Sequence, residues 1–170
     1  MKKSLLFAML LLPLLHYGQA QFDIARKGTV AELERVAAKD KSVVNAVDAN
    51  GNSMLILACY RGNTDVAKYI AGKTTEINYK SKQGTALMAA VMNGNVELVK
   101  FLLQKGAKAD VTEESGKTAL IYAVFFGKTD CAKALIAAGA NKAVKDNEGK
   151  TALDYAHDSQ NTELIILLDN

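Results

Sequence analysis

The sequence is poor in the residues from which reactive sites are usually built. It holds two histidines, two cysteines, one proline and no tryptophan. His16 and Pro13 both fall within the first twenty residues. Beyond them His157 is the one histidine, which excludes a multi-histidine metal site there. Two cysteines allow at most one disulfide. A hydrophobic run long enough for a membrane is also missing. Leu5 to Leu15 is the longest apolar stretch, and as a helix it would reach about 16 Å, against about 30 Å of bilayer hydrocarbon. Charge of one sign is not in excess either, with 21 Lys and Arg against 18 Asp and Glu.

What the first twenty residues do have is order. Lys2 and Lys3 precede the Leu5 to Leu15 run, and "HYGQA" follows with small residues at Gly18 and Ala20. A positive start, a short apolar stretch and a small-residue end make a secretory signal peptide, with cleavage expected after Ala20. Residues 21–170 are then expected to form one soluble domain, periplasmic or secreted, with no membrane contact once the signal is gone. Lys2 and Lys3 leave with the signal, so 19 basic residues face 18 acidic ones, a net charge of +1. That balance gives no basis for a nucleic-acid partner.

The remainder is periodic. "GNSMLILACYRGNTDVAKYI", "GTALMAAVMNGNVELVKFLL", "GKTALIYAVFFGKTDCAKALI" and "GKTALDYAHDSQNTELIILL" begin at Gly51, Gly84, Gly116 and Gly149. The helix-start residues Ser53, Thr85, Thr118 and Thr151 are separated by 32, 33 and 33 residues. Leu55, Leu87, Leu120 and Leu153 keep the same intervals, as do Ala58, Ala90, Ala123 and Ala156. Ser or Thr at a helix start can accept a hydrogen bond from the free amides of the first turn. Small alanines let helices approach closely, and glycines supply the left-handed backbone that ends one helix and turns to the next.

A unit of about 33 residues with a turn and two helices resembles the ankyrin repeat. The carriers are the G-x-T-x-L-x-x-A starts, Gly62, Gly94 and Gly127 between helices, and the "KGA" and "AGA" helix ends at Gly106 and Gly139. Asp48 and Asp146 match the family's aspartate before the turn glycine, a place held by Ser81 and Glu113 in the other two units. The resemblance implies an all-α solenoid of stacked helix–turn–helix units with short β-turn fingers. Its units cover about 22–47, 48–80, 81–112, 113–145 and 146–170, the first of them degenerate. No unit buries its apolar face alone, so stability comes from stacking. The chain departs from the family's T-P-L-H helix start, with Met54, Ala86, Ala119 and Ala152 in the proline place. The turn before Thr85 is one residue short, Gln160 stands where a glycine is expected, and Ile165 or Ile166 must face outward from the last helix.

Catalytic and metal constellations are scarce, and neither a cofactor nor a metal site is expected. Cys59 and Cys131 sit two units apart, about 20 Å by helix spacing, whereas a disulfide needs α-carbons within about 7 Å. Both are expected to be buried free thiols. Asp65, Glu97, Asp130 and Glu163 recur at second-helix starts, where they complement the helix dipole. Asp154 and His157 share a helix face in "DYAHD", and a hydrolase using them is the contrasting reading. No nucleophile or oxyanion donor accompanies them, so a helix-surface pair is preferred and the chain is read as a non-enzyme. Lys80, Lys82 and Lys117 are read as solvated turn tips.

Phe125 and Phe126 are adjacent on a helix that already has a buried face. In the ankyrin resemblance the last two residues of each first helix lie along a concave surface that commonly binds proteins. The first place reads Arg26, Tyr60, Met92, Phe125 and Asp158, and the second Lys27, Arg61, Asn93, Phe126 and Ser159. Tyr60, Arg61, Met92, Asn93, Phe125, Phe126 and Asp158 are therefore the candidate partner-binding residues, of the types enriched at interface hot spots. The competing expectation is that Phe125 or Phe126 folds back on the neighbouring turn. The function expected is a monomeric, non-catalytic module that captures a protein outside the cytoplasm. Exported bacterial proteins of this type imply an accessory or protective factor for a periplasmic enzyme, or alternatively an immunity protein that occludes a toxin.

Overall fold

The computed structural model describes residues 20–169; the export-signal segment lies outside the described residues up to position 19. Helix α1 covers residues 20–27 and α2 covers Val30–Ala37, followed by a 3-10 turn at Lys41–Asn45. Four helical hairpins follow: α3 (Met54–Arg61) with α4 (Thr64–Ala71), α5 (Ala86–Asn93) with α6 (Val96–Gln104), α7 (Ala119–Phe125) with α8 (Thr129–Ala137), and α9 (Ala152–Asp158) with α10 (Thr162–Asp169). The first helices form one layer, α3 on α5 on α7 on α9, and the second helices form another, α4 on α6 on α8 on α10.

Helices of seven to nine residues are too short to hold alone in water, so the stack is what sustains them. The two layers need different sequences. Helix α3 buries Met54 through Cys59 without interruption, and α5 buries Ala86 through Val91, because neighbours close in from both sides and from the second layer. The second-layer helices bury one stripe each, such as Val66, Ala67, Ile70 and Ala71 of α4 or Leu98, Val99 and Leu102 of α6.

The repeated residues do repeated work. Ser53, Thr85, Thr118 and Thr151 accept from the amides of Ile56, Met88, Ile121 and Asp154. The amides of Asn63, Asn95, Lys128 and Asn161 then bond back to the carbonyls of Ala58, Ala90, Ala123 and Ala156, closing each first helix. Gly62, Gly94 and Gly127 hold the left-handed conformation at that closure, with φ of 71°, 79° and 62°. In the last hairpin Gln160 takes their place at φ 53°, the one non-glycine residue with positive φ among the described residues. The last helix faces Ile166 outward, with Ile165 half-buried.

Cys59 and Cys131 are buried free thiols on α3 and α8, and burial pushes both thiols above their ordinary range. The fingers differ in length. The short one before Thr85 is a two-residue hairpin, β1 (Lys80–Ser81) pairing antiparallel with β2 (Gly84–Thr85). Among the described residues no helix is long and apolar enough to cross a membrane.

Candidate protein-binding face

The fingers and the first helices share one face. Each finger begins at a polar residue that collects the turn's amides. Asp48 accepts from Asn50 and Asn52 at 3.0 and 2.9 Å. Asp146 accepts from Glu148 and Lys150 at 2.9 and 3.1 Å. Glu113 reaches Ser115 and Lys117 in the same way, and in the hairpin the Ser81 hydroxyl accepts from the Gln83 amide. A longer glutamate and a hydroxyl thus substitute for the aspartate.

The candidate residues stand at equivalent helix ends. Tyr60 and Arg61 close α3, Met92 and Asn93 close α5, Phe125 closes α7 with Phe126 as its cap, and Asp158 closes α9. Tyr60 is 55% exposed, Phe125 54% and Phe126 42%; Met92 is half-buried. Arg61 lies over the Tyr60 ring at 5.9 Å. Two candidates also serve the stack: Asn93 donates to the Tyr60 carbonyl at 3.4 Å, and Asp158 accepts from Lys150 at 2.7 Å.

The helix ends divide between two hollows. Tyr60, Arg61 and Met92 line a cleft of about 810 Å³ with Arg26, Tyr122 and the fingers at Asn50 and Lys82. Phe125 and Asp158 line a smaller hollow of about 490 Å³ with Lys117, Lys150 and Tyr155. An aromatic row connects them. Tyr122 stacks on Phe126 at 5.9 Å, Phe126 meets Phe125 edge-on at 5.2 Å, and Phe125 meets Tyr155 edge-on at 5.5 Å. The Phe rings are therefore supported from beneath by two tyrosines while their outer surfaces stay open.

The support is itself anchored by charge. Tyr155 donates to Asp146 at 2.6 Å, and Lys117 meets the same Asp146 oxygen at 3.0 Å while lying over the Tyr155 ring. Burial works to raise the Asp146 carboxyl, but the Tyr155 hydroxyl, Lys117 and the finger amides outweigh it and hold it well below the ordinary carboxylate range. Lys117, expected as a solvated tip, is instead nearly enclosed, its side chain 13% exposed. The reason lies in the next unit, whose finger brings a carboxylate beneath it; Lys80 and Lys82 are exposed and have no carboxylate partner among the described residues.

Tyr122 and Tyr155 were not among the candidates. Both sit at one repeat register, Leu57, Ala89, Tyr122 and Tyr155, and a comparison of that register would have flagged a change from aliphatic to aromatic. Asp154 is occupied as a helix cap, accepting from the Thr151 amide and hydroxyl at 2.7 Å.

A family model described as ankyrin repeats in three copies matches residues 22–113 and 87–170. The chain is an ankyrin-repeat protein. Ankyrin repeats are generally non-catalytic and bind other proteins. Similar relatives include Ankyrin repeat and SAM domain-containing protein 6 of Rattus norvegicus, 32% identical over 99 residues, which are 57% of this chain and 11% of the relative. The E3 ubiquitin-protein ligase hecd-1 of Caenorhabditis elegans is 35% identical over 75 residues, 44% of this chain and 3% of the relative. Ankyrin repeat and KH domain-containing protein 1 of Homo sapiens is 34% identical over 62 residues, 36% and 2%. The chain thus spans about a tenth or less of these relatives. What it shares with them is the repeat, and the exposed side chains on its finger face are a separate matter.

Proposed function

We propose that this ankyrin-repeat protein captures a partner protein on its finger face and performs no chemistry on it. The observation that carries this is the placement of exposed apolar side chains. Of the five large ones exposed among the described residues, Tyr60, Phe125 and Phe126 stand at the ends of first helices. Stacked rings lose little freedom when covered, so they bind at low entropic cost. The pattern of residues 1–20 supports action in the periplasm or outside the cell, and an accessory or protective factor for an exported enzyme is the narrower role proposed.

The test is the variant Phe125→Asp with Phe126→Asp. Capture of the partner from a periplasmic extract is expected to be lost. Three ring contacts disappear, one stacked and two edge-on, so stability should fall by no more than about 3 kcal/mol, or about 6–12 °C in Tm. A much larger fall would place the rings in the core and overturn the reading. A neighbouring catalase or peroxidase gene would favour the accessory role, and a neighbouring toxin gene an immunity role.

A further inference from the structure

The cleft between Tyr60 and the first two fingers has an unbalanced set of charges. Its lining includes Arg26, Arg61 and Lys82, against Asp48 and Glu113. Both carboxylates are already engaged. Asp48 takes two finger amides and Arg26, at 3.3 Å. Glu113 takes the amides of Ser115 and Lys117 and the Ser115 hydroxyl. Arg61 and Lys82 have no carboxylate partner among the described residues and are exposed. Lys27, at the helix end equivalent to Arg61, is also exposed and without one. The lining also has an apolar part, made of Ile56, Leu57, Ala89 and Met92 with the Tyr60 ring.

The lining also has length. It runs from Arg26 in the first unit to Tyr122 in the fourth, about 30 Å at the usual helix spacing, enough for about nine extended residues. Asn52, 7% exposed, lines the same cleft, and its side-chain oxygen has no hydrogen-bond partner among the described residues. A backbone N–H laid along the cleft could supply one once the amide turns outward.

We propose that this cleft binds an extended acidic segment of the partner protein, with one apolar side chain against Tyr60 and Met92 and carboxylates at Arg61 and Lys82. The proposal rests on the reading that the finger face captures a protein, and it names the chemistry of the captured part. Free cations beside an apolar floor favour carboxylates flanking a hydrophobic anchor and disfavour a basic segment.

The experiment is selection of random twelve-residue segments from a display library on the full chain, on Arg61→Glu with Lys82→Glu, and on Phe125→Asp with Phe126→Asp. The native chain is expected to enrich Asp and Glu around a Leu, Ile, Met or Phe. A synthetic peptide of the enriched sequence should bind the charge-reversed variant at least about tenfold more weakly, and should weaken about tenfold between low and high salt. The variant's Tm should be unchanged, both side chains being exposed. Enrichment of neutral or basic segments, equal binding by the charge-reversed variant, competition by heparin as effective as by the peptide, or no enrichment at all would overturn the proposal. Selection that depends on Phe125 and Phe126 but not on Arg61 and Lys82 would remove the acidic segment and keep the face. Selection that depends on neither pair would remove both.

Discussion

At the Asp48 finger the space beside Tyr60 and Met92 is an open cleft of about 810 Å³, whereas at the Asp146 finger Lys117 and Tyr155 narrow the equivalent space to a hollow of about 490 Å³. The same repeat produces both. The difference traces to two registers. The residue between the finger glycine and the helix cap is Asn52 in the second unit, absent in the short finger of the third unit, and lysine at 117 and 150. The floor residue is Leu57, then Ala89, then Tyr122 and Tyr155. Lys117 covers the tyrosine and satisfies the buried aspartate of the unit after it; Asn52 and the short finger meet no such pair, since the units after them offer Ser81 with Ala89 and Glu113 with Tyr122. One end of the face is consolidated and presents aromatic rings. The other is open and presents free cations.

Removing the equivalent aspartates should expose this asymmetry most strongly. Asp146→Ala would strand Lys117, the Tyr155 hydroxyl and two amides around a side chain that is now wholly buried. A loss of about 3–5 kcal/mol is expected, or roughly 10 °C in Tm. Asp48→Ala removes two amide bonds and a longer contact to a partly exposed Arg26, and about 1–2 kcal/mol is expected. Equal losses would refute the contrast. Acid supplies a second probe. The Asp146 carboxyl titrates lower in the folded chain than its ordinary value of 3.8. Its contribution is therefore complete above that value and is lost as pH falls below it toward the depressed folded value. Urea melts of the native chain and Asp146→Asn should converge as pH falls from about 5 to about 2.

Two finger glycines give a smaller, cleaner pair. Gly51 and Gly116 have φ of 80° and 79°, so alanine suffers the same left-handed penalty at both. A β-carbon at Gly51 meets nothing within 4 Å, but at Gly116 it falls 2.6 Å from the Asn147 side-chain oxygen and 2.8 Å from the Asn147 backbone nitrogen. Asn147 is held there by bonds to Ser115 and Glu114 that join the Glu113 and Asp146 fingers. Gly116→Ala should cost about 2–3 kcal/mol and Gly51→Ala about 1, measured by thermal or urea unfolding. The gap between them measures finger-to-finger packing at the closed end alone.

Much of this was legible from spacing, and the rest was not for a definable reason. Intervals of 32 and 33 residues located the caps, the closing alanines and the buried leucines, because each of those roles is completed within one unit. Exposure of Tyr60, Phe125 and Phe126 was also readable, since the repeat does not need a large side chain at those helix ends. Lys117 was misjudged because its surroundings come from the following unit, through Asp146 and Tyr155. The open cleft was missed for the same reason, since it depends on what Asn52 and the short finger leave unfilled between neighbours. Side chains that look across units have partners more than thirty residues away, and a scan of one repeat does not contain them.

The closure of the first helices offers the smallest test, and it works inside the consolidated end. Gly127 and Gln160 occupy the same place in successive hairpins, and the amide that follows each bonds back to Ala123 or Ala156. The backbone is left-handed at both, φ 62° and 53°, yet only glutamine has a β-carbon that disfavours it. Gln160→Gly should therefore stabilise the chain by about 1 kcal/mol, less the entropy glycine adds to the unfolded state. Gly127→Gln should destabilise it by a comparable amount, since nothing lies within 4 Å of a β-carbon there and strain is the main cost. If Gln160→Gly lowers Tm instead, the glutamine side chain contributes contacts that exceed the backbone penalty. The last hairpin would then be held by more than the closure it shares with the others.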